Sequence, residues 1–311
     1  MSIVNTFSAL ADPTRLRILM LLRSMELSVG ELAQVLGQSQ PRVSRHLKIL
    51  ADAALVERRK EGAWTFVTLG PEERINPALA AIDQWSRDET PSPWTVADKT
   101  RLAAVRSDRA EAAERYFASQ AESWDAMRSL YVAEHEVEAA IARALAGKPI
   151  GRLVDVGTGT GRMLELFVAD ATALWGIDRS AEMLRVARAK LEGGRVTADL
   201  RQGDMYALPF ASQSADTVIL HQVLHYAQLP ANAVAEAARV LVAGGRLLIA
   251  DFAPHDREDL RKNDAHARLG FSDEQIIEWM KAGDIDGRVV ERLSGGELTV
   301  TLWLGERGAA A

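Results

Sequence analysis

The chain has 311 residues, 48% hydrophobic and 26% charged, with a formal net charge of −6 and no cysteine. That length admits two domains with separate cores, and the absence of cysteine excludes disulfides, thiolate metal sites and a cysteine nucleophile. No apolar run reaches the roughly 18 residues that a bilayer span needs, and Met1–Thr6 lacks a charged-then-apolar leader, so a cytoplasmic location and no membrane partner are expected.

Asp12-Pro13-Thr14 opens a helix, with Asp12 suited to cap it and Pro13 to its first position. Leu16, Ile18, Leu19, Leu21 and Leu22 supply its apolar residues. Ser28-Val29-Gly30-Glu31 reads as a capping box ahead of Leu32, Ala33, Val35 and Leu36, and Gly37 ends that helix. Ser39 is placed to cap the next, whose inward residues are expected to be Val43, Leu47, Ile49 and Leu50. Two short helices across a glycine-containing turn have helix-turn-helix geometry. Val56–Leu69 alternates into two strands around an expected turn at Lys60-Glu61-Gly62. Between Ser39 and Lys60, six basic residues (Arg42, Arg45, Lys48, Arg58, Arg59, Lys60) stand against Asp52 and Glu57. A basic patch on an otherwise acidic chain is what binding to phosphates requires.

Residues 86–106, with Pro91 and Pro93, predict a linker between a domain at 1–85 and another at 107–311. Residues 107–146 read as helical, with Tyr116, Phe117, Trp124, Met127 and Leu130 recurring; Tyr116 and Trp124 suit either a lid or core packing. From Arg152 strands and helices alternate. The predicted strands are Leu153–Val156, Ala173–Ile177, Val196–Arg201, Thr217–His221 and Arg246–Ala250. Helices are expected at Arg162–Ala169, Ala181–Leu191 and Ala231–Leu241. This is the α/β pattern of a doubly wound, Rossmann-like parallel sheet. Arg288–Arg292 and Glu297–Trp303 flank Ser294-Gly295-Gly296 and read as a C-terminal antiparallel hairpin.

The segment Leu153-Val-Asp-Val-Gly-Thr-Gly-Thr-Gly161 runs an apolar strand into an acid and three glycines. Glycines at every second position let the backbone turn sharply and approach a ligand closely, and the following helix aims its N-terminal amides there. A dinucleotide fingerprint would put its third glycine at 162, which is Arg; here it is Gly161. Asp155 lies at the strand end, where a carboxylate meets a ligand cation, and Asp178 and Asp204 each follow an apolar strand. Asp178 can accept two ribose hydroxyls, and Asp204 an adenine amino group with Met205 against the ring. This constellation resembles the class I S-adenosylmethionine-dependent methyltransferases over about residues 110–305. The resemblance implies that Asp155, Gly157, Gly159 and Gly161 cradle the amino-acid part of S-adenosylmethionine or S-adenosylhomocysteine. It places Asp178, Arg179 and Met183 at the ribose, Asp204 and Met205 at adenine, and His221 beside the cofactor. Methyl transfer needs alignment more than a base; His221 and His225 are the candidate catalytic residues, with His255 and His266 in neighbouring loops.

The run Asp12–Leu19, Leu32-Ala33, Ser39–Leu50 and the wing Leu55–Trp64 resembles the ArsR family of winged-helix regulators over about residues 5–85. The resemblance implies a double-stranded DNA operator read by Ser39, Gln40, Arg42, Ser44, Arg45 and His46, with Lys48, Arg58, Arg59 and Lys60 on phosphates. It also implies a homodimer through the first helix and Glu72–Trp85, and repression as the habitual sign of regulation. Metal-sensing members carry cysteines where this chain has Ser28 and Gly30, so no metal site is expected. Two readings stand: a regulator whose methyltransferase domain senses the cofactor, in keeping with control of methionine-cycle genes, or an active methyltransferase on a small molecule or protein with autoregulatory DNA binding. Arsenite methylation is disfavoured, because the related enzymes use cysteines.

Overall fold

The computed structural model describes residues 3–61, 64–86, 93–120, 133–194, 196–294 and 298–308, divided between two units, Met1–Glu111 and Ala112–Ala311. The first unit opens on α1 (Ile3–Leu10). Asp12 then turns the chain into α2 (Pro13–Leu22), its carboxylate accepting from the Thr14 and Arg15 amides at 2.8 and 3.1 Å. Pro13 sits in the first turn, where its missing N–H costs nothing. α3 (Val29–Leu36) begins with the reciprocal Ser28–Glu31 capping box and ends at Gly37, left-handed at φ 66°. α4 (Gln40–Asp52) has Ser39 at its cap position without a side-chain capping bond; Pro41, in the first turn, has no N–H to give. Val43, Leu47 and Leu50 are buried, but Ile49 is 42% exposed. Positions 43, 47 and 50 recur at helical spacing and 49 falls off that stripe, which corrects the expected inward face.

β1 (Leu27–Ser28), β2 (Val56–Glu61) and β3 (Trp64–Leu69) form an antiparallel sheet in the order β1-β3-β2. Glu61 pairs with Trp64, so Lys60 and Glu61 belong to the strand and not to the turn; residues 62–63 lie outside the described ones. α5 (Glu72–Trp85) follows. The largest departure is α6 (Pro93–Gln120): residues 93–106, expected as linker, are helical, and the first unit extends to Glu111. Pro93 begins this helix instead of breaking the chain. Its first turns are tied to the unit by buried Leu102 and Val105 and by a hydrogen bond from Arg101 to the Val35 carbonyl at 3.2 Å. The side chains of Tyr116 and Phe117, and all of Trp124, Met127 and Leu130, lie outside the described residues.

The second unit is a seven-stranded sheet. β4 (Gly151–Val156), β5 (Ala171–Asp178), β6 (Asp199–Gln202), β7 (Ala215–His221) and β8 (Leu241–Phe252) run parallel. β9 (Ile285–Ser294) and β10 (Thr299–Arg307) form the expected antiparallel hairpin, giving the order β6-β5-β4-β7-β8-β10-β9. The helices are α7 (Glu134–Leu145), α8 (Arg162–Leu166), α9 (Ala181–Gly193), α10 (Pro230–Val240), α11 (Glu258–Asn263) and α12 (Asp273–Ala282). Alternate strand residues feed opposite faces. Val154, Val156, Val218, Leu220, Leu247 and Ile249 join α10 and α12 in one core; Leu153, Ile219, Leu248 and Ala250 join α7 and α8 in the other. β6 starts at Asp199 and α8 is five residues long, both shorter than the sequence pattern predicts.

Candidate functional site

Because β4 to β8 are parallel, their C-terminal ends share one edge of the sheet, the edge where open α/β sheets bind ligands. Asp155, the glycine turn, Asp178, Asp204, His221 and Asp251 all stand at or just beyond those ends. Asp155 is 1% exposed and accepts from the Thr158 hydroxyl at 2.6 Å. Gly157, Gly159 and Gly161 have φ of 72°, 53° and 85°, a region costly for any residue with a Cβ. The turn is folded by its own bonds: Gly157 and Thr158 donate to the Ile177 carbonyl, and Gly161 donates to Thr158. A Cβ at Gly157 would lie 2.2 Å from Val223 Cγ2. Glycine is therefore needed at 157 to seat the turn against the loop after β7, beyond any close approach to a ligand.

Asp178 joins the turn to β5. One carboxylate oxygen accepts from the Gly159 amide and the other from Ser180, both at 2.8 Å. Burial pushes its carboxyl up, against the lowering pull of the Ser180, Gly159 and Arg179 amides. A carboxylate accepts about four hydrogen bonds and these amides take three, so capacity remains for a ribose hydroxyl. Arg179 is exposed and Met183 buried, its amide donating to the Ser180 hydroxyl that caps α9. Asp204 is exposed and accepts from the Tyr206 amide at 3.0 Å, while Met205 is half-buried against the core. Sequence reasoning missed Glu138, which takes Arg162 on both oxygens at 2.5 and 2.7 Å and fixes the start of α8. That pairing holds the guanidinium above its ordinary range.

His221, 4% exposed, places its Nε2 3.9 Å from a Glu134 carboxylate oxygen. His225 is 2% exposed, and its Nδ1 lies 2.7 Å from Asp251 Oδ1. Asp251, fully buried, also accepts from the Leu224, His225 and Phe252 amides. The His225 ring centroid lies 4.0 Å from that of Tyr226 and 4.2 Å from that of His266, both pairs tilted, and the His266 centroid is 6.5 Å from that of His255. Asp251 was overlooked, although it carries the signal that marks Asp155 and Asp178, an acid at the end of an apolar strand. Among the described residues no group of three or more His, Cys, Asp or Glu side chains is arranged to hold a metal ion.

In the first unit, Ser39, Gln40, Arg42, Ser44, Arg45 and Lys48 of the α4 segment and Arg58 and Lys60 of β2 are exposed. The other two expected DNA contacts are engaged within the fold. His46 is half-buried with Nδ1 3.7 Å from Asp12, and Arg59 is paired to Glu26 at 3.0 Å.

Comparison with known proteins matches each unit separately. The bacterial regulatory protein arsR family matches residues 12–58, and the methyltransferase domain family matches residues 154–249. The arsenical resistance operon repressor of Escherichia coli is 44% identical over 89 residues, covering 28% of this chain and 74% of the repressor. A phosphatidylethanolamine N-methyltransferase of Cereibacter sphaeroides is 38% identical over 112 residues, covering 35% of this chain and 55% of that protein; the chain thus spans about half the length of that relative. The crystal structure of YcgJ from Bacillus subtilis superposes with a TM-score of 0.52 at 17% identity, over 57% of this chain and all of YcgJ, and shows the fold of the second unit. The chain belongs to the arsR family of bacterial regulatory proteins, with a winged helix-turn-helix unit joined to a Rossmann-like methyltransferase domain.

Proposed function

We propose that this chain is an operator-binding transcriptional regulator whose methyltransferase domain binds S-adenosylmethionine or S-adenosylhomocysteine and reports it to the DNA-binding unit. The carrying observation is the convergence at one sheet edge of Asp155, three left-handed glycines and an Asp178 with acceptor capacity to spare. These residues fit the cofactor: Asp178 would take the ribose with Arg179 and Met183 nearby, Asp204 and Met205 adenine, and the glycine turn and Asp155 the amino-acid part, with His221 beside it. When bound, the sulfonium form supplies an electrophilic methyl group; the chain's own part is to hold it and exclude water.

The exposed residues of α4 and Arg58 and Lys60 contact the operator in this reading. A second copy covers the apolar side chains that α1 and α5 leave exposed, Val4 (68%), Phe7 (50%) and Trp85 (65%). Effector binding shifts operator affinity by as much as its affinity differs between the two states of the dimer. Because the chain has no cysteine, thiolate capture of arsenite is no part of its signal. An operator gel shift with each cofactor form tests this: a change in affinity with one form supports sensing, and identical shifts with both forms and with neither refute it. The second reading, an active methyltransferase on a small acceptor, is favoured by one observation, the buried His225–Asp251 pair.

A further inference from the structure

Resting on the reading of the second unit as a methyl-transfer domain, we propose that His225, oriented by Asp251 and flanked by His266 and His255, is the general base of an acceptor site for a small heteroatom nucleophile bearing a proton: a thiol, amine or phenol.

His225 lies in the loop after β7, and Asp251 at the end of β8, the two strands next to β4 on the side away from β5. The same loop touches the glycine turn, since Val223 occupies the space a Cβ on Gly157 would need. Two strained backbone positions bracket the cluster: Gln222, directly after β7, sits at φ 50°, and Ala265, after α11 and directly before His266, at φ 56°. Left-handed non-glycine residues cluster where function over-determines the backbone.

Three backbone N–H groups, of Leu224, His225 and Phe252, donate to Asp251, and the His225 ring Nδ1 lies 2.7 Å from it. A carboxylate with three amide donors orients the imidazole with its proton on Nδ1, which puts the lone pair on Nε2. Asp251 is thus a positioning residue, the third member of the nucleophile–base–orienter arrangement.

Two buried imidazole nitrogens point to a ligand. His266 is 4% exposed, and its Nδ1 has no hydrogen-bond partner; the buried Nε2 of His255 has none either. Buried polar atoms are overwhelmingly paired, and two unpaired imidazole nitrogens in one aromatic cluster mark where a polar molecule belongs. Burial, reinforced by the neighbouring imidazoles, holds His255 and His266 below the ordinary histidine range, as do Arg257 and Arg261 nearby. Each is therefore a neutral imidazole able to donate or accept toward an acceptor.

In the transfer, His225 Nε2 takes the acceptor's proton while the acceptor heteroatom bonds to the methyl carbon. The carbon–sulfur bond of the sulfonium donor breaks with its electron pair passing to sulfur. Asp251 stabilises the imidazolium so formed. A dialkyl sulfide, which has no proton to lose, gains nothing from this arrangement.

The test uses the full chain. With labelled histidine, nitrogen–proton correlation spectra of the unmodified, cofactor-free protein are expected to show the His225 proton on Nδ1; a proton on Nε2 overturns the proposal. The chain is then given S-adenosylmethionine with a tritiated methyl group, together with 2-mercaptoethanol, methylamine or phenol, or with dimethyl sulfide. Label is expected in a protic acceptor, with H225Q lowering the rate by about 100-fold while S-adenosylhomocysteine binds H225Q and wild type to within about threefold. Unchanged transfer in H225Q, transfer to dimethyl sulfide alone, or no transfer overturns it. Failure of the wild type to bind S-adenosylhomocysteine is a different result, and removes the cofactor reading beneath it.

Discussion

Arg17 and Asp98, 81 residues apart, form a two-pronged ion pair: Nε and Nη2 of the guanidinium each lie 2.6 Å from a different carboxylate oxygen, with the side chains 17% and 7% exposed. Their pairing ties the start of α6 to α2. Asp98→Ala leaves Arg17 largely buried without its partner and is expected to destabilise the first unit by about 2–4 kcal/mol. Denaturant melts read on that unit check this. In a cycle with Arg17→Ala, the double variant is expected to lose less than the two single losses combined.

Gly157→Ala pushes a methyl group into Val223 at a left-handed backbone position. The expected cost is roughly 2–4 kcal/mol. Adding Val223→Ala removes the clash but leaves the backbone strain, so stability measured by thermal melting should return in part.

The pair His255 and His266 makes the second unit acid-sensitive. Unfolded, each takes a proton near pH 6.5; folded, His255 does so at about 4 and His266 well below 6.5. The folded state then binds fewer protons than the unfolded one in that window. Stability present above pH 6.5 therefore declines as pH falls toward 4. For His255, half-buried, the loss is on the order of 2 kcal/mol after allowance for solvent screening. Melting temperatures of His255→Gln, which removes the titration, should fall less between pH 7 and pH 4.5 than those of the wild type.

On DNA, Arg42→Ala and Arg45→Ala should each lower the salt dependence of operator binding by about one phosphate contact or relax one base position. Arg59→Ala, its guanidinium already held by Glu26, should change the salt slope less. Binding isotherms across a salt series separate these cases.

Local side chain to backbone contacts were the legible part of the fold. Asp12, the Ser28–Glu31 box and Gly37 each announce a helix end within four residues, and the acid-plus-glycine turn after β4 announces the sheet edge. The start of α6 was illegible for the converse reason. Its proline and threonines, preceded by Pro91-Ser92, read as a loop in the sequence, and the partner that holds it, Arg17, lies far away in sequence. Ile49 failed because an apolar residue near a helical stripe need not lie on it. Gly157 was read for ligand approach, whereas its neighbour Val223 comes from a distant loop. Asp251 hides in an apolar run, Leu247-Leu-Ile-Ala-Asp-Phe252, and only the fold shows that three amides and the His225 ring meet there.

In the proposed function, a sulfonium nucleoside or its demethylated product is held between the glycine turn and Asp178. Titration calorimetry of the full chain with S-adenosylhomocysteine measures it directly. Binding on the order of micromolar, weakened by at least about tenfold in Asp178→Ala through loss of the ribose acceptor, is the predicted result. The absence of heat with both S-adenosylhomocysteine and S-adenosylmethionine, or equal binding by Asp178→Ala, would contradict it.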